Sequence, residues 1–269
     1  MIEDEEFYAD WKIFSDERQW GFKGIPRMPT AGIEEIRWLG SDNYPTFRKN
    51  NSKNWTIDSV SYKFNSHGYR SAEMIKSEKF TIACFGCSTT LGIGVPVEET
   101  WPQLFLQKFK AKTNKDAEVL NFAWSAVSSD FISRTMYSVL PVIEPDLVLI
   151  LLPTMHRYEL YNDDGSTTNA FPQNEYCRQF YEIYDNEYWA KNNFLKNFNF
   201  IEMMINRYNI PWIFSTWNPE TRPLIETHEN YVLYKRNHRD TLARDGRHAA
   251  FLTFNDFSDL LLSKYFQLY

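Results

Sequence analysis

Cysteine is scarce in this sequence: three residues in 269, too few for a disulfide framework. Long apolar runs are missing as well. The longest, Leu147–Pro153, falls short of the ~18–20 residues of a membrane-spanning helix and suits a buried strand instead. Nor is there an excess of basic charge: 29 Lys and Arg stand against 35 Asp and Glu, a net charge of −6 and a pI near 5.5. That balance disfavours nucleic acid as the main partner, since neutralising phosphates requires clustered Lys and Arg. The first residues, Met1-Ile-Glu-Asp-Glu-Glu, lack the basic-then-apolar order of a secretion signal. These absences lead to the expectation of a soluble, cytoplasmic protein with no membrane partner, and they leave the oligomeric state open. No internal repeat or low-complexity tract occurs.

What is present is ordinary for a globular chain, with 43% hydrophobic and 24% charged residues. The length suits one large domain, or a domain with an appended segment. Aromatics are abundant at 17%. Phe and Tyr are rich alongside Asn, Lys and Ile, which points to compositional bias rather than to a surface built for stacking, so individual aromatics count by position only.

Residues 1–75 have weak periodicity and turn-forming pieces such as Gly24-Ile25-Pro26 and Ser41-Asp42-Asn43-Tyr44-Pro45. They read as an irregular N-terminal extension with one short hairpin, packed on a main domain of residues 76–269. From there the pattern is regular. Phe80–Phe85, Glu118–Phe122, Asp146–Leu152 and Ile210–Thr216 read as strands. Helices are expected at about 100–112, 129–140 and 249–269, and 175–208 reads as one or two amphipathic helices. The polar stretch Asn162–Gln173 reads as a loop that forms one wall of a cleft. Strands alternating with helices argue an α/β fold, a parallel sheet covered on both faces, with its chemistry at the carboxyl ends of the strands.

The residues at those ends are informative. The first strand runs into Gly86-Cys87-Ser88-Thr89-Thr90-Leu91-Gly92-Ile93-Gly94. A serine just past a strand, where a helix begins, has an exposed hydroxyl among free backbone N–H groups, which is what an acyl-transfer nucleophile needs. No phosphate-binding loop is spelled here, because the Gly-Lys-Ser/Thr element is missing. A nucleophilic serine also needs a base and an orienting acid. Near the C-terminus, Asp245-Gly246-Arg247-His248 places a carboxylate and an imidazole three positions apart, so that Nδ1 can meet the acid while Nε2 faces a hydroxyl. Taken singly, the serine is as well explained as a helix cap and the Asp/His pair as a surface pair. Cys84 and Cys87 have Cys-x-x-Cys spacing, but strand alternation sends them to opposite faces, which argues against redox or zinc chemistry. Cys87 remains a minor alternative to Ser88 as nucleophile.

Taken together and in this order, these pieces resemble the SGNH (GDSL-type) hydrolases. Gly86-Cys87-Ser88 with Thr90, Gly92 and Gly94, then Thr100-Trp101-Pro102, is similar to that family's first block. Val119-Leu120-Asn121-Phe122-Ala123-Trp124-Ser125-Ala126 is similar to the second, Pro145–Ile150 leads into the third, and Asp245–His248 is similar to the fifth. Asn65-Ser66-His67-Gly68-Tyr69-Arg70 resembles a lead-in found in members with an N-terminal extension. The resemblance implies a three-layer α/β/α, flavodoxin-like fold and ester hydrolysis without a cofactor. It further implies Ser88 as nucleophile, His248 as general base and Asp245 as orienting carboxylate. The oxyanion donors it implies are the backbone N–H groups of Ser88 and Ala126, where alanine replaces the usual glycine.

Two positions depart from the family. Cys87 stands where Asp is common, at a mostly structural position. The larger departure is in the third block, where Gly-x-Asn-Asp is expected and Pro153-Thr154-Met155-His156 is found. The asparagine would donate to the oxyanion, and Met155 has no donor. Thr154, His156 and Arg157 are the candidates for a substitute, with Arg157 equally readable as a salt-bridge partner of Glu159 or Asp163. Trp124 and Trp217 follow strands and are substrate-binding candidates, with core packing as the alternative; Trp101 reads as core. The expected function is therefore a serine esterase acting on a small-molecule or carbohydrate ester, an O-acyl group on a carbohydrate by preference. A lipid or thioester hydrolase and a non-catalytic binding module on the same fold are the competing readings.

Overall fold

The computed structural model describes residues 12–13, 25–50, 55–163, 166–236 and 242–269. The parts of the expected extension at 1–11, 14–24 and 51–54 lie outside the described residues. In chain order the elements begin with β1 (Lys12–Ile13), β2 (Glu35–Ile36), α1 (Tyr44–Asn50) and β3 (Tyr62–Lys63). The regular part follows: β4 (Phe80–Gly86), α2 (Ser88–Leu91), α3 (Trp101–Thr113), β5 (Ala117–Asn121), α4 (Ser129–Ile143) and β6 (Leu147–Leu152). It is completed by β7 (Tyr158–Tyr161), β8 (Thr167–Ala170), α5 (Arg178–Tyr184), α6 (Glu187–Tyr208), β9 (Trp212–Thr216) and α7 (Phe251–Leu268).

β5, β4, β6 and β9 lie side by side in that order, all parallel. Numbered as they occur in the chain, these strands stand in the order 2-1-3-4, which is the flavodoxin-like winding. Side-chain alternation sorts the core into two layers. Ile82, Cys84, Leu147, Leu149, Leu151 and Ile213 face α3 and α7, where Trp101, Phe105, Phe109, Phe254 and Phe257 pack on them. Ala83, Phe85, Val148, Ile150, Leu152 and Phe214 face α4 and α6, against Phe131, Met136, Phe194 and Ile201. The sheet is thus a middle layer, buried on both faces, and its strands are apolar almost throughout for that reason.

The helices start and stop where their local chemistry dictates. Ser128 caps α4 by accepting the Phe131 N–H, and Asn186 caps α6 by accepting from Trp189. α3, α4 and α6 end on left-handed residues, Asn114, Glu144 and Asn209. The expected helical stretch 175–208 is divided into α5 and α6 by the Asp185-Asn186 corner.

One expectation needs correction. The stretch Asn162–Gln173 is not all loop: Thr167–Ala170 pairs antiparallel with Tyr158–Tyr161, and β1 adds to its other side. Thr167 and Asn169 are buried there, and the Asn162 amide donates to the Ser166 and Thr168 hydroxyls within the hairpin. In the N-terminal part, β2 and β3 pair antiparallel across 25 intervening residues, a long-range pairing, while Leu39 and Asp42 pair antiparallel around a two-residue turn.

Residues 25–75 are stitched to the main sheet by buried polar groups as well as by core contacts. Arg244 and Asp42 are both fully buried, with Arg244 Nε donating to Asp42 Oδ1 at 2.9 Å and Nη2 to Oδ2 at 2.7 Å. Arg244 also donates to the carbonyls of Ile57, Val60 and Arg37 and lies 4.1 Å over the Trp38 ring. The Tyr62 hydroxyl donates to Asp42 and in turn accepts the Gly94 N–H just after α2. Arg70 donates to the carbonyls of Gly92, Val95 and Ser61. Removing one partner of a buried pair strands the other charge without water, at a cost of about 3–5 kcal/mol. Asp42→Ala is therefore expected to lower the urea-unfolding free energy by about that amount, against under ~1 kcal/mol for Lys191→Ala, which breaks the exposed Lys191–Glu187 pair. Comparable losses in the two variants would refute this account of how the segment is held.

Candidate active site

At its carboxyl end, β4 turns sharply into α2. Gly86 is required at this turn by close approach: a Cβ there would stand 2.0 Å from Thr90 Oγ1 and 2.9 Å from the Leu151 carbonyl. The next residues deliver Ser88 to the first position of α2, 7% exposed. Its hydroxyl lies 2.8 Å from His248 Nε2, and His248 Nδ1 lies 2.6 Å from Asp245 Oδ2. With Nδ1–H donating to the carboxylate, Nε2 is free to accept from Ser88. The structure thus brings Ser88, His248 and Asp245 into one line across 160 residues of chain.

The Asp245–His248 segment is a tight turn and not a helical one. Asp245 Oδ1 accepts the backbone N–H groups of Arg247 and His248 at 2.9 and 3.0 Å, while Oδ2 faces the imidazole. The Asp245 side chain is fully buried and that of His248 is 18% exposed. Burial opposes the Asp245 charge, but the facing His248 and the hydrogen bonds to its oxygens outweigh it and hold the carboxyl well below the usual carboxylate range.

Among the described residues no protein acceptor faces the N–H of Ser88 or that of Ala126. Ala126 has φ +59°, the left-handed region where a Cβ is disfavoured by roughly 1–2 kcal/mol. The loop after β5 therefore holds at this residue a backbone conformation that suits glycine better.

The third-block residues are dispersed in role. Met155 is buried in the core and donates its N–H to Thr221 Oγ1. His156 is committed through Nδ1 to Asp185 at 2.9 Å, and Tyr158 donates to the same carboxylate. Thr154 Oγ1 accepts the His156 N–H. Arg157 does not pair with Glu159, because Arg134 takes both oxygens of that carboxylate at 2.6 and 2.9 Å. Instead its guanidinium stands 5.4 Å over the Trp217 ring, with Nη1 buried and unpartnered among the described residues. Trp217 donates Nε1–H to Cys87 Sγ at 3.2 Å, next to the nucleophile position. Trp124, by contrast, is 2% exposed and packs on Phe64, so it belongs to the core, as does Trp101. Cys84 and Cys87 point into different core layers, and Cys87 is fully buried.

A separate hollow of about 450 Å³ lies beside α5, lined by Pro172, Asn174, Arg178 and Tyr181 among others. Of its lining, the Tyr181 hydroxyl donates to the His156 carbonyl. Sequence reading missed Ser41, whose hydroxyl donates to Asp245 Oδ2 at 2.7 Å. It also missed Asp185 as the partner of His156. Neither position carries a spacing signal relative to the residue it meets.

No protein-family model and no curated protein matches the chain. Among solved structures it is similar to TesA, at 15% identity over 70% of this chain and 99% of that one, with a TM-score of 0.48. It is also similar to the psychrotrophic esterase EstA from Pseudoalteromonas sp., at 14% identity over 70% and 97% of the two chains, TM-score 0.48. A third is the Clostridium thermocellum family 3 carbohydrate esterase, at 11% identity over 70% and 96%, TM-score 0.48.

The depressed pKa of Asp245 has a consequence for stability. A carboxyl whose folded pKa lies below its unfolded value stabilises the fold above the unfolded value and loses that contribution as pH falls through the folded one. Wild type should therefore exceed Asp245→Asn in urea-unfolding free energy at pH 6, and the gap should narrow steadily as the pH falls below about 4. A gap that stays constant down to pH 2 would mean that Asp245 is not held ionised by the fold.

Proposed function

We propose that the protein is a serine ester hydrolase of the SGNH type, in which residues 76–269 form the hydrolase unit and residues 1–75 an extension packed on it. The observation that carries this reading is the aligned run Ser88 Oγ, His248 Nε2, His248 Nδ1 and Asp245 Oδ2, with contacts of 2.8 and 2.6 Å. Ser88 Oγ attacks the ester carbonyl carbon while His248 Nε2 takes its proton. Asp245 keeps the imidazole in the required tautomer and balances its positive charge. The Ser88 and Ala126 N–H groups, with no protein acceptor among the described residues, are donors for the oxyanion. Collapse of the tetrahedral intermediate expels the alcohol, which receives the proton from Nε2. Water activated by the same nitrogen then cleaves the acyl group from Ser88.

The substrate in this reading is a carbohydrate carrying an O-acyl group. Trp217 supports it, being a half-buried indole beside the nucleophile turn with a cation on its face. Trp124 lends no support, since it is core. Of the candidates for the donor absent at Met155, Arg157 has the best support: His156 is committed to Asp185, whereas Arg157 Nη1 has no partner among the described residues. A non-catalytic binding role draws on Met155 alone.

Two experiments test the reading. Ser88→Ala should reduce p-nitrophenyl acetate turnover to background with the fold intact, and a fluorophosphonate probe should label wild type but not the variant. Equal labelling of both would refute the nucleophile. Arg157→Ala should lower kcat by about 10²-fold with little change in KM, the mark of a contact made in the transition state. His156→Ala should cost less, because its Nδ1 is already engaged. The reverse order would assign the third donor to His156.

A further inference from the structure

Asp245 receives hydrogen bonds from three residues. Two of them, Arg247 and His248, belong to its own turn. The third is Ser41, 204 residues earlier in the chain, whose hydroxyl donates to Oδ2 at 2.7 Å. Oδ2 is the same oxygen that accepts from His248 Nδ1 at 2.6 Å.

The hydroxyl is delivered on a rigid mount. Leu39 and Asp42 exchange backbone hydrogen bonds of 2.9 and 3.1 Å around Gly40 and Ser41, closing a two-residue turn. Gly40 sits at φ +61°, as the first central residue of a type II′ turn requires. A Cβ on Gly40 would stand 3.4 Å from Ser125 Oγ, so the turn also abuts the loop that carries Ala126. Asp42, which follows Ser41, is locked in the fully buried pair with Arg244, which precedes Asp245. Ser41 and Asp245 are thus the neighbours of an ion pair, and their relative position is set by it.

We propose that Ser41 is a positioning residue for the Ser88–His248–Asp245 relay, its hydroxyl holding the Asp245 carboxylate in the orientation in which it accepts from His248 Nδ1. The proposal rests on the hydrolase reading for its catalytic consequence. Oδ1 is fixed by two N–H groups of the turn, and one further bond on Oδ2 stops the carboxylate plane from rotating about its Cβ–Cγ bond. The hydroxyl also draws electron density from Oδ2, so its removal makes that oxygen a stronger acceptor that is less well aimed. In this arrangement residues of the N-terminal segment are part of the working site.

The test compares wild type, Ser41→Ala and Ser41→Thr, the last of which retains the hydroxyl. Ser41→Ala should lower kcat and the rate of fluorophosphonate labelling by about tenfold, the size of one hydrogen bond to a charged group, with KM unchanged. The low-field proton resonance of His248 Nδ1–H should move in Ser41→Ala and return towards its wild-type position in Ser41→Thr, together with kcat. A role confined to anchoring the segment would change the melting temperature and leave that resonance in place. If the alanine variant is too unstable to measure, Ser41→Cys, close in volume and a weaker donor, should show the same changes. A kcat within about twofold of wild type with an unmoved resonance would overturn the proposal. If wild type neither hydrolyses ester nor takes up the probe, the hydrolase reading fails, while the resonance still decides whether Ser41 orients Asp245.

Discussion

A guanidinium with no solvent exposure must have its donors satisfied by protein, and Arg244 achieves this by recruiting chain from far away. It takes both oxygens of Asp42, three carbonyls between residues 37 and 60, and the face of Trp38. Desolvating such a pair is costly, and the geometry offsets that cost only when nearly every donor is used. The consequence is specificity of placement. Asp42 brings Tyr62, which donates to it and accepts from Gly94 beyond α2, so one buried charge sets both the turn before Asp245 and the loop after Ser88.

The site itself divides the work between a rigid sheet and strained or polar loops. β4 and β6 are buried on both faces and pair in register, so the turn at Gly86–Ser88 emerges from the stiffest part of the molecule. The loop after β5 instead holds Ala126 at positive φ, a cost borne where an N–H group is left without a protein acceptor. The Asp245 turn aims the Arg247 and His248 N–H groups and the His248 imidazole at the carboxylate, which keeps the group ionised although it is buried. Met155 is absorbed into the core, and its neighbours His156 and Arg157 are tied to Asp185 and Trp217.

Much of this was legible before any coordinates. The four core strands fall within two residues of the expected spans, because strands covered on both faces are apolar throughout and are bounded by glycine and polar breaks. Ser88, Asp245 and His248 were singled out by a resemblance in their order along the chain, since a residue just past a strand and a carboxylate three positions before an imidazole fit a helix cap and a surface pair as well. That they meet is a fact of the folded chain. The separation of Cys84 from Cys87 follows from strand alternation alone. The β7–β8 hairpin was not legible, since Thr-Thr-Asn-Ala looks like loop until a partner strand supplies its hydrogen bonds.

By itself, then, the sequence determined the α/β class, the ends of the strands and the residues that stand there, all properties of short windows in which period and turn chemistry act, while the flavodoxin-like winding was implied only by a family resemblance. Tertiary structure decided the rest. Arg157 left Glu159 for the face of Trp217 because Arg134, 25 residues from that carboxylate, arrived with both donors aligned. Trp124 became core and Trp217 a site residue, although both follow strands, because Phe64 covers one and Cys87 receives the other's N–H. Ser41 reached Asp245 across 204 residues, a meeting that no local pattern encodes, since it depends on the burial of a charge pair that exists only once the chain is folded.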